Sequence, residues 1–363
     1  MTTHIALYLK YRPRTFAEVR GQQPIVQALE GAVAAGRVPH AFLFAGPRGT
    51  GKTSMARILA AAIGAQPVDM YEIDAASNRR IDDVRELREA VHTLPYESSR
   101  KVYIIDEVHM LTPEAFSALL KTLEEPPPHV VFILATTEPE KLPETVLSRC
   151  QIFQFKTPSR ALLCETLADV AAREGFALPE HAADLIALAA EGSFRDALGV
   201  LEKVMMASKD KEADSDEIAA IIGAPRSALV REIVVALHEK DAPRSLASLA
   251  RATEENTDMK LFARLLLERV RAVLLARHGG DAGAALAHIP EEDRPEALAY
   301  AKDARSPLNA ALLSRLLLAA EQTGQSYLPH LPLELAIIEL AGDAGAAAET
   351  QEHTLPFSSN TAA

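Results

Sequence analysis

The sequence has few of the features that mark disulfide-rich, zinc-binding or membrane proteins. Its two cysteines, Cys150 and Cys164, are too few for a disulfide framework or a four-ligand zinc site. No apolar run approaches the roughly 18 residues that a membrane-spanning helix needs. The first residues, MTTHIALYLKYRPRTF, lack the pattern of a secretory signal. We therefore expect a cytoplasmic protein that neither spans a membrane nor holds a structural zinc ion.

A basic excess, which is usual in a domain that coats nucleic acid unaided, is also missing. The formal net charge is -12 at pH 7. Basic and acidic side chains balance over residues 1–159, so the whole acidic excess lies in residues 160–363. Any contact with nucleic acid must therefore be local and must depend on partners.

Short apolar strands alternate with helical patterns in the first part of the 363-residue chain, whose length suits more than one domain. The strands are mostly continuous apolar runs, which predicts a parallel sheet covered by helices on both faces. Five segments are predicted as strands: HAFLFAGP, MYEID, KVYIIDE, VVFILATT and QIFQF. Helices are predicted between them at about Lys52–Ile63, Ile81–His92 and Pro113–Leu123, the last with Thr112 as its N-cap.

After about residue 159 the strand patterns stop and amphipathic helices follow. Segments such as ALLCETLADVAAREG predict a small helical domain that ends near Gly223. Longer helices, such as LFARLLLERVRAVLLAR, continue to about Ala341, and the small polar residues beyond predict a disordered tail. The predicted divisions of the chain are residues 1–159, 160–223, 224–343 and 344–363.

The segment GPRGTGKT fits the phosphate-binding loop G-x-x-x-x-G-K-[ST] and lies between a predicted strand and a predicted helix. Glycines in such loops let backbone amides approach phosphate, and the N-terminus of the following helix attracts the anion. Lys52 is expected to reach the outer phosphates of ATP, and Thr53 to bind Mg²⁺. A chance glycine-rich turn is the alternative. The predicted nucleotide-binding residues here are Gly46, Pro47, Arg48, Gly49, Thr50, Gly51, Lys52, Thr53 and Ser54.

The strand VYIIDE ends in two carboxylates. Asp106 is expected to face the Mg²⁺ site, and Glu107 to activate the attacking water as a general base. A surface acid that caps the next turn is the alternative for Glu107. Thr136 and Thr137 end the neighbouring strand, where a hydroxyl is placed to hold the water or to sense the γ-phosphate. Ordinary β-propensity is the alternative for that pair.

Two arginines are open to more than one interpretation. Arg195, in EGSFRDAL, begins a predicted helix capped by Ser193, and is either a surface arginine or a functional one. Arg149, in VLSRC, stands just past an apolar run. It is either a solvated edge charge or one half of a site that is completed elsewhere.

Together the motifs resemble one family. In chain order they are KYRPRTFAEVRGQ, GPRGTGKT, EIDAASN, VYIIDEVHML, ALLKTLEEPP, LATTEPEKLP, LSRCQIFQF and GSFRDAL. The set resembles the gamma/tau subunits of bacterial DNA polymerase III, the AAA+ ATPases of the sliding-clamp loader. The resemblance implies an α/β AAA+ P-loop domain, a small helical lid domain and an all-α collar domain that joins subunits.

The resemblance also implies an activity and a set of partners. ATP and Mg²⁺ are the implied cofactors. The ATP-bound ring would open the beta sliding clamp and place it on primed DNA, and hydrolysis would then release the loader. The other implied members of the five-membered ring are delta, delta-prime and further gamma/tau copies.

Individual residues acquire roles from the same resemblance. It makes Thr137 the first sensor, Arg195 the lid sensor of the γ-phosphate, and Arg149 a finger that reaches the ATP of a neighbouring subunit. The residues that would pack around adenine are Tyr8, Arg12, Pro13 and Val19. The residues that would meet DNA phosphates are Asn78, Arg79, Arg80 and Arg85, although a basic run is also typical of a solvated face.

The sequence departs from the family at two places. A four-cysteine zinc module is usual before the EIDAAS strand, but only GAQPVD stands there, which implies that no zinc is bound. The long C-terminal extension of tau is absent, which indicates a gamma-like chain or a truncated tau. A non-catalytic scaffold similar to delta-prime and another AAA+ DNA motor are the alternatives. Lys52, Asp106 and Glu107 favour an active ATPase over the scaffold, and SRC with TLEEPP disfavours other motors.

Overall fold

The computed structural model describes residues 5–77, 87, 89–208, 215–279, 282–286 and 289–339. The chain divides into two compact units, Met1–Ala213 and Asp214–Ala363. None of the helices in these ranges is long and apolar enough to cross a membrane. The finer division of the chain, with boundaries after residues 159 and 223, stays a prediction. The predicted tail at 344–363 lies outside the described residues.

A parallel sheet forms the centre of the first unit. Its strands are β1 (Ala41–Ala45), β2 (Met70–Asp74), β3 (Lys101–Asp106), β4 (Val130–Thr136) and β5 (Gln151–Gln154). They lie in the order β2-β3-β4-β1-β5, and every neighbouring pair is parallel. The five predicted strands and their parallel arrangement are therefore confirmed.

Both faces of the sheet are buried, because successive side chains of a strand point to opposite faces. Phe42 and Phe44 of β1 belong to the core on one face, together with side chains of helix Lys52–Ala62. Leu43 belongs to the core on the other face, together with side chains of helix Pro113–Glu124. Burial from two sides explains why the central strands are continuous apolar runs rather than alternating ones.

The predicted start of helix Pro113–Glu124 is confirmed. The Thr112 hydroxyl accepts a hydrogen bond from the Ala115 amide at 3.3 Å, so one of the free amides of the first turn has a partner. Pro113 has no amide proton and therefore leaves no donor unpaired at the first helical position.

Among the remaining helices of the first unit, those after residue 159 follow the predicted helical patterns, whereas Leu7–Lys10, Gln23–Ala34 and Glu144–Leu147 were not predicted. Helix Lys52–Ala62 ends one residue before the predicted Ile63. Most of the predicted helix Ile81–His92 lies outside the described residues. The other helices of this unit are Leu7–Lys10, Gln23–Ala34, Glu144–Leu147, Arg160–Glu174, Glu180–Ala189 and Phe194–Ala207.

A buried aspartate closes the short connection before β2. Asp69 has no exposed surface, and its carboxylate accepts hydrogen bonds from the Ser98 hydroxyl and from the amides of Tyr96, Glu97 and Ser98. Burial opposes ionisation, but these bonds outweigh it and hold the pKa of Asp69 far below its usual range. The ionised carboxylate therefore fixes the loop of residues 96–98 next to the start of β2.

The described part of the second unit is helical. Its core is one apolar cluster that includes Phe262, Leu266 and Val270 of the long helix Met259–Arg277. The predicted helical character of this part of the chain is confirmed. Its other helices are Ser215–Ile222, Ser227–Glu239, Ala242–Glu254, Ala282–Ala285, Arg294–Lys302, Ala310–Thr323 and a helical stretch at 331–339.

Candidate active site

The phosphate loop begins where β1 ends. The Gly46 amide donates to the Thr136 carbonyl at 3.1 Å, which ties the loop to the end of β4. Gly46 has a φ of 144°, and a Cβ there would lie 2.4 Å from the Phe155 carbonyl oxygen. Gly49 and Gly51 have φ values of 75° and 99°, a region that glycine enters readily. Backbone geometry therefore requires glycine at these positions of the loop.

Gly49 also contacts the start of helix Phe194–Ala207. Its carbonyl accepts a hydrogen bond from the Phe194 amide at 3.1 Å. A Cβ on Gly49 would lie 1.9 Å from the Oγ of Ser193, the residue whose hydroxyl caps this helix. The helix that carries Arg195 is therefore docked directly on the phosphate loop.

Gly49→Ala is expected to lower the thermal stability of the protein more than Gly36→Ala does. A left-handed backbone costs a non-glycine residue about 1–2 kcal/mol at either position. Only Gly49 adds a steric clash, because nothing lies within 4 Å of a Cβ on Gly36, whose φ is a similar 63°. Thermal unfolding of the two variants checks this. Equal losses would mean that the contact with Ser193 relaxes without cost.

Lys52 is held inside the loop. Its side chain is almost fully buried, and Nζ donates to the carbonyl oxygens of Gly46 at 2.7 Å and Pro47 at 2.9 Å. Burial lowers the pKa of Lys52, while the Glu107 and Asp106 carboxylates nearby act in the opposite direction. The amino group therefore lies where the phosphates of a bound nucleotide would meet the loop.

Thr53 and Asp106 offer a pair of oxygen ligands at the carboxyl edge of the sheet. The Thr53 hydroxyl donates to Asp106 Oδ2 at 2.7 Å, and both residues line the same cavity. Mg²⁺ prefers oxygen ligands and is often shared between a protein carboxylate and substrate phosphates. This pair therefore fits an Mg²⁺ ion that is bound together with a nucleotide.

Glu107 extends from the end of β3 toward the end of β4. Its backbone is left-handed, with φ 48° and ψ 45°, and its side chain is about one-third exposed at the cavity. The Glu107 carboxylate accepts hydrogen bonds from the Thr137 amide at 3.3 Å and the Thr137 hydroxyl at 3.1 Å. The structure thus brings together the predicted base and the predicted first sensor.

The neighbouring threonine has different partners. Thr136 is fully buried, and its hydroxyl lies 2.9 Å from Nδ1 of His109 and accepts from the Glu138 amide at 3.0 Å. Of the two threonines, Thr137 is the one whose hydroxyl contacts Glu107. His109 was not predicted as a site residue, because its position shortly after Glu107 does not reveal that the turn Val108–Met110 returns it to β4.

A cavity of about 740 Å³ opens from the phosphate loop, within the roughly 300–1,000 Å³ of ligand pockets. Among its lining residues, the guanidinium carbon of Arg195 lies 5.8 Å from the centre of the Tyr8 ring, and Arg12 Nε donates to Ser54 Oγ at 2.9 Å. The predicted residues that line the cavity are Tyr8, Arg12, Pro13, Val19, Arg48, Gly49, Thr50, Gly51, Lys52, Thr53, Ser54, Asp106, Glu107 and Arg195.

Arg149 lies away from this cavity, between helix Glu144–Leu147 and β5. Its guanidinium donates to the Thr145 carbonyl at 2.7 Å and forms an ion pair with Glu124 at 2.6 Å. The described residues that line the cavity do not include Arg149. Within its own chain Arg149 is therefore paired with a glutamate rather than brought to the phosphate loop.

Two further predictions are not tested by the structure. Asn78, Arg79, Arg80 and Arg85 lie outside the described residues, so their contact with DNA stays a prediction. The absence of zinc also stays a prediction. Within the part of the chain that the structure describes, no group of three or more His, Cys, Asp or Glu side chains is arranged to hold a metal. Burial raises the pKa of both cysteine thiols to about 11, so neither is readily ionised.

The strand, phosphate loop and helix, together with the carboxylates that follow β3, have the arrangement of P-loop nucleotide-binding proteins. The Thermotoga maritima RuvB Holliday junction branch migration motor has a similar structure, with a TM-score of 0.50 at 23% identity. The match covers 63% of this chain and 80% of that chain. At this identity the likeness concerns the fold alone.

Similarity in sequence identifies the family within this class. The DNA polymerase III subunit tau of Bacillus subtilis is 40% identical over 274 residues, which are 70% of this chain and 48% of that protein. The subunit tau of Escherichia coli K12 is 38% identical over 291 residues, which are 74% of this chain and 45% of that protein. The chain belongs to the gamma/tau family of DNA polymerase III subunits, as the motifs predicted. It spans about half the length of these curated relatives.

A second comparison concerns a shorter segment. The family model described as DNA polymerase III, delta subunit, matches residues 65–159. That range contains the carboxylates after β3 and Arg149, but it begins after the phosphate loop at 46–53. The match is therefore compatible with either a catalytic or a scaffold subunit, and the residues of the phosphate loop have to decide between them.

Proposed function

We propose that the chain is an ATP-hydrolysing subunit of the sliding-clamp loader of bacterial DNA polymerase III. The observation that carries this proposal is the convergence of Lys52, Thr53, Asp106 and Glu107 on one cavity. A scaffold subunit similar to delta-prime would not need a general base beside a complete phosphate loop. Membership of the gamma/tau family supports the loader over other AAA+ motors.

The proposed reaction assigns one task to each side chain. The phosphate loop and Lys52 bind the triphosphate of ATP. Thr53 and Asp106 would hold the Mg²⁺ that offsets the charge of the phosphate oxygens. Glu107 accepts a proton from the attacking water as a general base. Thr137 holds the Glu107 carboxylate through the two hydrogen bonds that its amide and hydroxyl donate.

Two further groups of residues complete the proposed site: Arg195 of the proposed helical lid, and the N-terminal residues expected around the adenine base. Arg195 is expected to sense the γ-phosphate, since its helix begins against Gly49 of the phosphate loop. The segment that contains Tyr8, Arg12, Pro13 and Val19 is expected to surround adenine, since it lines the same cavity. A ligand bound there would contact both the N-terminal segment and the start of helix Phe194–Ala207, so ATP is expected to stabilise their association.

ATP hydrolysis by the reconstituted loader tests the proposed function. Turnover should rise when primed DNA and the beta clamp are added together, and less with either alone. The loader is reconstituted as a ring of delta, delta-prime and several copies of this chain. If this chain hydrolyses no ATP in that ring, the result would support a non-catalytic scaffold subunit instead. Stimulation by branched DNA, without any effect of the clamp, would support another AAA+ motor.

The proposed contact with DNA rests on the sequence EIDAASNRRIDDVR, in which Asn78, Arg79, Arg80 and Arg85 follow a predicted strand. Arginine side chains and helix N-termini are common partners of phosphate oxygens. Several copies in a ring would each supply a few such contacts. This explains how a chain without a basic excess can act on DNA.

Arg79→Ala combined with Arg80→Ala is expected to weaken the stimulation of ATP hydrolysis by DNA. Removing a phosphate partner should also reduce the dependence of DNA affinity on salt, by about 0.7–0.9 per arginine in the slope of log affinity against log salt. A salt titration of DNA binding measures this slope. Arg57→Ala is the control, because Arg57 is paired with Glu72 on the same unit. Unchanged affinity and slope would mean that Arg79 and Arg80 are solvated.

The proposed collar is supported by apolar residues that the second unit leaves exposed. They are concentrated in helix Ala310–Thr323 and in residues 326–339, and an ion pair between Arg315 and Glu339 at 2.8 Å joins these two segments. Exposed apolar clusters on a soluble protein are typical of interfaces. The exposed large residues here are Leu317, Leu318, Tyr327, Leu328, Leu331, Leu335 and Ile338.

Leu335→Asp combined with Ile338→Asp is expected to weaken subunit association. Both side chains are already about half-buried, so covering the rest in an interface would contribute about half of the roughly 1.5–3 kcal/mol of a full burial. The double variant should therefore associate at least about tenfold more weakly. Leu275→Asp is the matched control, since Leu275 is exposed on a different helix of this unit. Sedimentation at several concentrations measures the change. Equal weakening by both variants would place the interface elsewhere.

A further inference from the structure

A nearly buried histidine lies next to the proposed general base. The His109 ring is 7% exposed and is not among the described residues that line the cavity. Its Nδ1 lies 2.9 Å from Thr136 Oγ1 and 3.5 Å from Glu107 Oε2, and its Nε2 lies 3.7 Å from Glu138 Oε2. One ring therefore contacts the base and both residues that flank Thr137 in the chain.

The two ring nitrogens of His109 face different partners. Nδ1 lies beside the Thr136 hydroxyl, which also accepts a hydrogen bond from the Glu138 amide. Nε2 lies on the other side of the ring and faces the Glu138 carboxylate. A hydrogen bond from Lys141 lowers the pKa of Glu138 and keeps this carboxylate charged. His109 thus joins Thr136 and Glu138 through opposite sides of its ring.

Thr137 stands between these two residues and donates both hydrogen bonds that hold Glu107. Glu107 itself has a left-handed backbone. A residue other than glycine keeps this conformation only where its surroundings hold it, and such residues are frequent at functional sites. The position of the Glu107 carboxylate therefore depends on Thr137, and the position of Thr137 depends on the chain that His109 fixes.

We propose that His109 is a positioning residue for ATP hydrolysis: it fixes the chain from Thr136 to Glu138, so that Thr137 aims the Glu107 carboxylate at the attacking water. This inference rests on the proposed ATPase function. A general base has to lie within hydrogen-bonding reach of the proton it takes, and a displacement of about 1 Å costs roughly 100-fold in rate. Binding of ATP depends on the phosphate loop, which His109 does not contact.

Three substitutions at His109 separate positioning from packing. His109→Ala removes the ring, His109→Asn places a polar group near the Nδ1 position, and His109→Gln places one near the Nε2 position. The Nδ1 side carries the 2.9 Å bond to Thr136, whereas the Nε2 side has only the 3.7 Å contact with Glu138. His109→Asn should therefore retain more turnover than His109→Gln. A role in packing alone would make turnover follow the stability of the variants instead.

The experiment measures ATP affinity, KM, kcat and thermal unfolding in the reconstituted loader. For His109→Ala we expect kcat to fall by about 10- to 100-fold, as for other residues that orient a catalytic group, with ATP affinity nearly unchanged. In a Glu107→Gln background the same substitution should cause no further loss, because residues that act as one unit are not additive. His129→Ala is the control, since His129 is bonded to the backbone at Val91 and Thr93.

The outcomes distinguish this inference from the proposed function. Absence of turnover in the unaltered protein overturns both. Turnover in the unaltered protein together with normal kcat in His109→Ala overturns the role of His109 alone. If His109→Ala does not fold, the kcat values of His109→Asn and His109→Gln are compared instead. A higher kcat for His109→Gln than for His109→Asn overturns the positioning role of His109. A further loss in the Glu107→Gln background overturns it as well, because His109 would then act by another route.

Discussion

Lys52→Ala is expected to abolish tight ATP binding. The buried amino group lies in the phosphate loop, and truncating one partner of a buried, hydrogen-bonded charge pair costs about 2–5 kcal/mol. ATP should therefore bind roughly 30-fold more weakly or worse. Equilibrium binding of a labelled ATP analogue measures the loss. Lys121→Ala is the control, because Lys121 is exposed on helix Pro113–Glu124.

Glu107→Gln provides the contrasting result. The amide keeps the shape of the side chain but cannot accept the proton of the attacking water, so binding of ATP should persist while turnover falls by about 10²- to 10⁴-fold. A fall in kcat with unchanged affinity is the sign of an interaction made in the transition state only. Glu140→Gln, at an exposed position of the same unit, controls for the change of charge.

These two variants together test the assignment of the site. Normal affinity and normal turnover in Lys52→Ala would remove the phosphate loop from the reaction. Weak binding in both variants would mean that Glu107 supports the nucleotide rather than the water. Thermal unfolding is measured for each variant, so that a loss of folded protein is not taken for a loss of affinity.

The sequence predicted those parts of the site that depend on short segments. The glycines of the loop, Lys52 and the carboxylates of β3 are fixed by local chemistry, since a turn of this shape requires glycine and a buried strand leaves its polar residues at the end. The five strands were equally predictable, because burial on both faces leaves a continuous apolar run of residues.

Contacts between distant segments were not predictable in the same way. Local chemistry does not distinguish Thr136 from Thr137, and only the resemblance to the family selected Thr137. The difference between them depends on how β4 ends beside Glu107 and His109. It also does not pair Gly49 of the phosphate loop with Ser193 at the start of a much later helix. In each case the deciding distance joins residues far apart in the chain, so no local pattern contains it.

The ion pair of Arg149 with Glu124 belongs to the same category, and it bears on whether Arg149 acts between subunits. The pair joins the end of helix Pro113–Glu124 to the residue before Cys150, and both side chains are partly exposed. Exposed ion pairs contribute only about 0–1 kcal/mol. Glu124 would therefore be a weak competitor if a neighbouring ATP offered Arg149 the charge of its phosphates.

Arg149→Ala is expected to leave ATP binding nearly intact and to reduce hydrolysis sharply. Arg149 is not among the residues described at the cavity of its own chain, so ATP bound there keeps its direct partners. Arginine fingers that stabilise charge on the γ-phosphate contribute roughly 10³–10⁵ in rate in well-studied phosphoryl-transfer enzymes. Binding and turnover are measured in the reconstituted ring. Arg57→Ala, which removes a comparable exposed pair with Glu72, should change neither.

Mixing Arg149→Ala with Lys52→Ala shows where the arginine acts. Each variant alone should be nearly inactive, one for lack of a finger and the other for lack of a phosphate loop. In a mixed ring, a subunit with an intact loop can stand beside a subunit with an intact finger, so part of the activity should return. The recovered activity should depend on the mixing ratio and be greatest at intermediate ratios. If rings verified to contain both variants recover no activity at any ratio, Arg149 acts within its own chain or only holds the interface together.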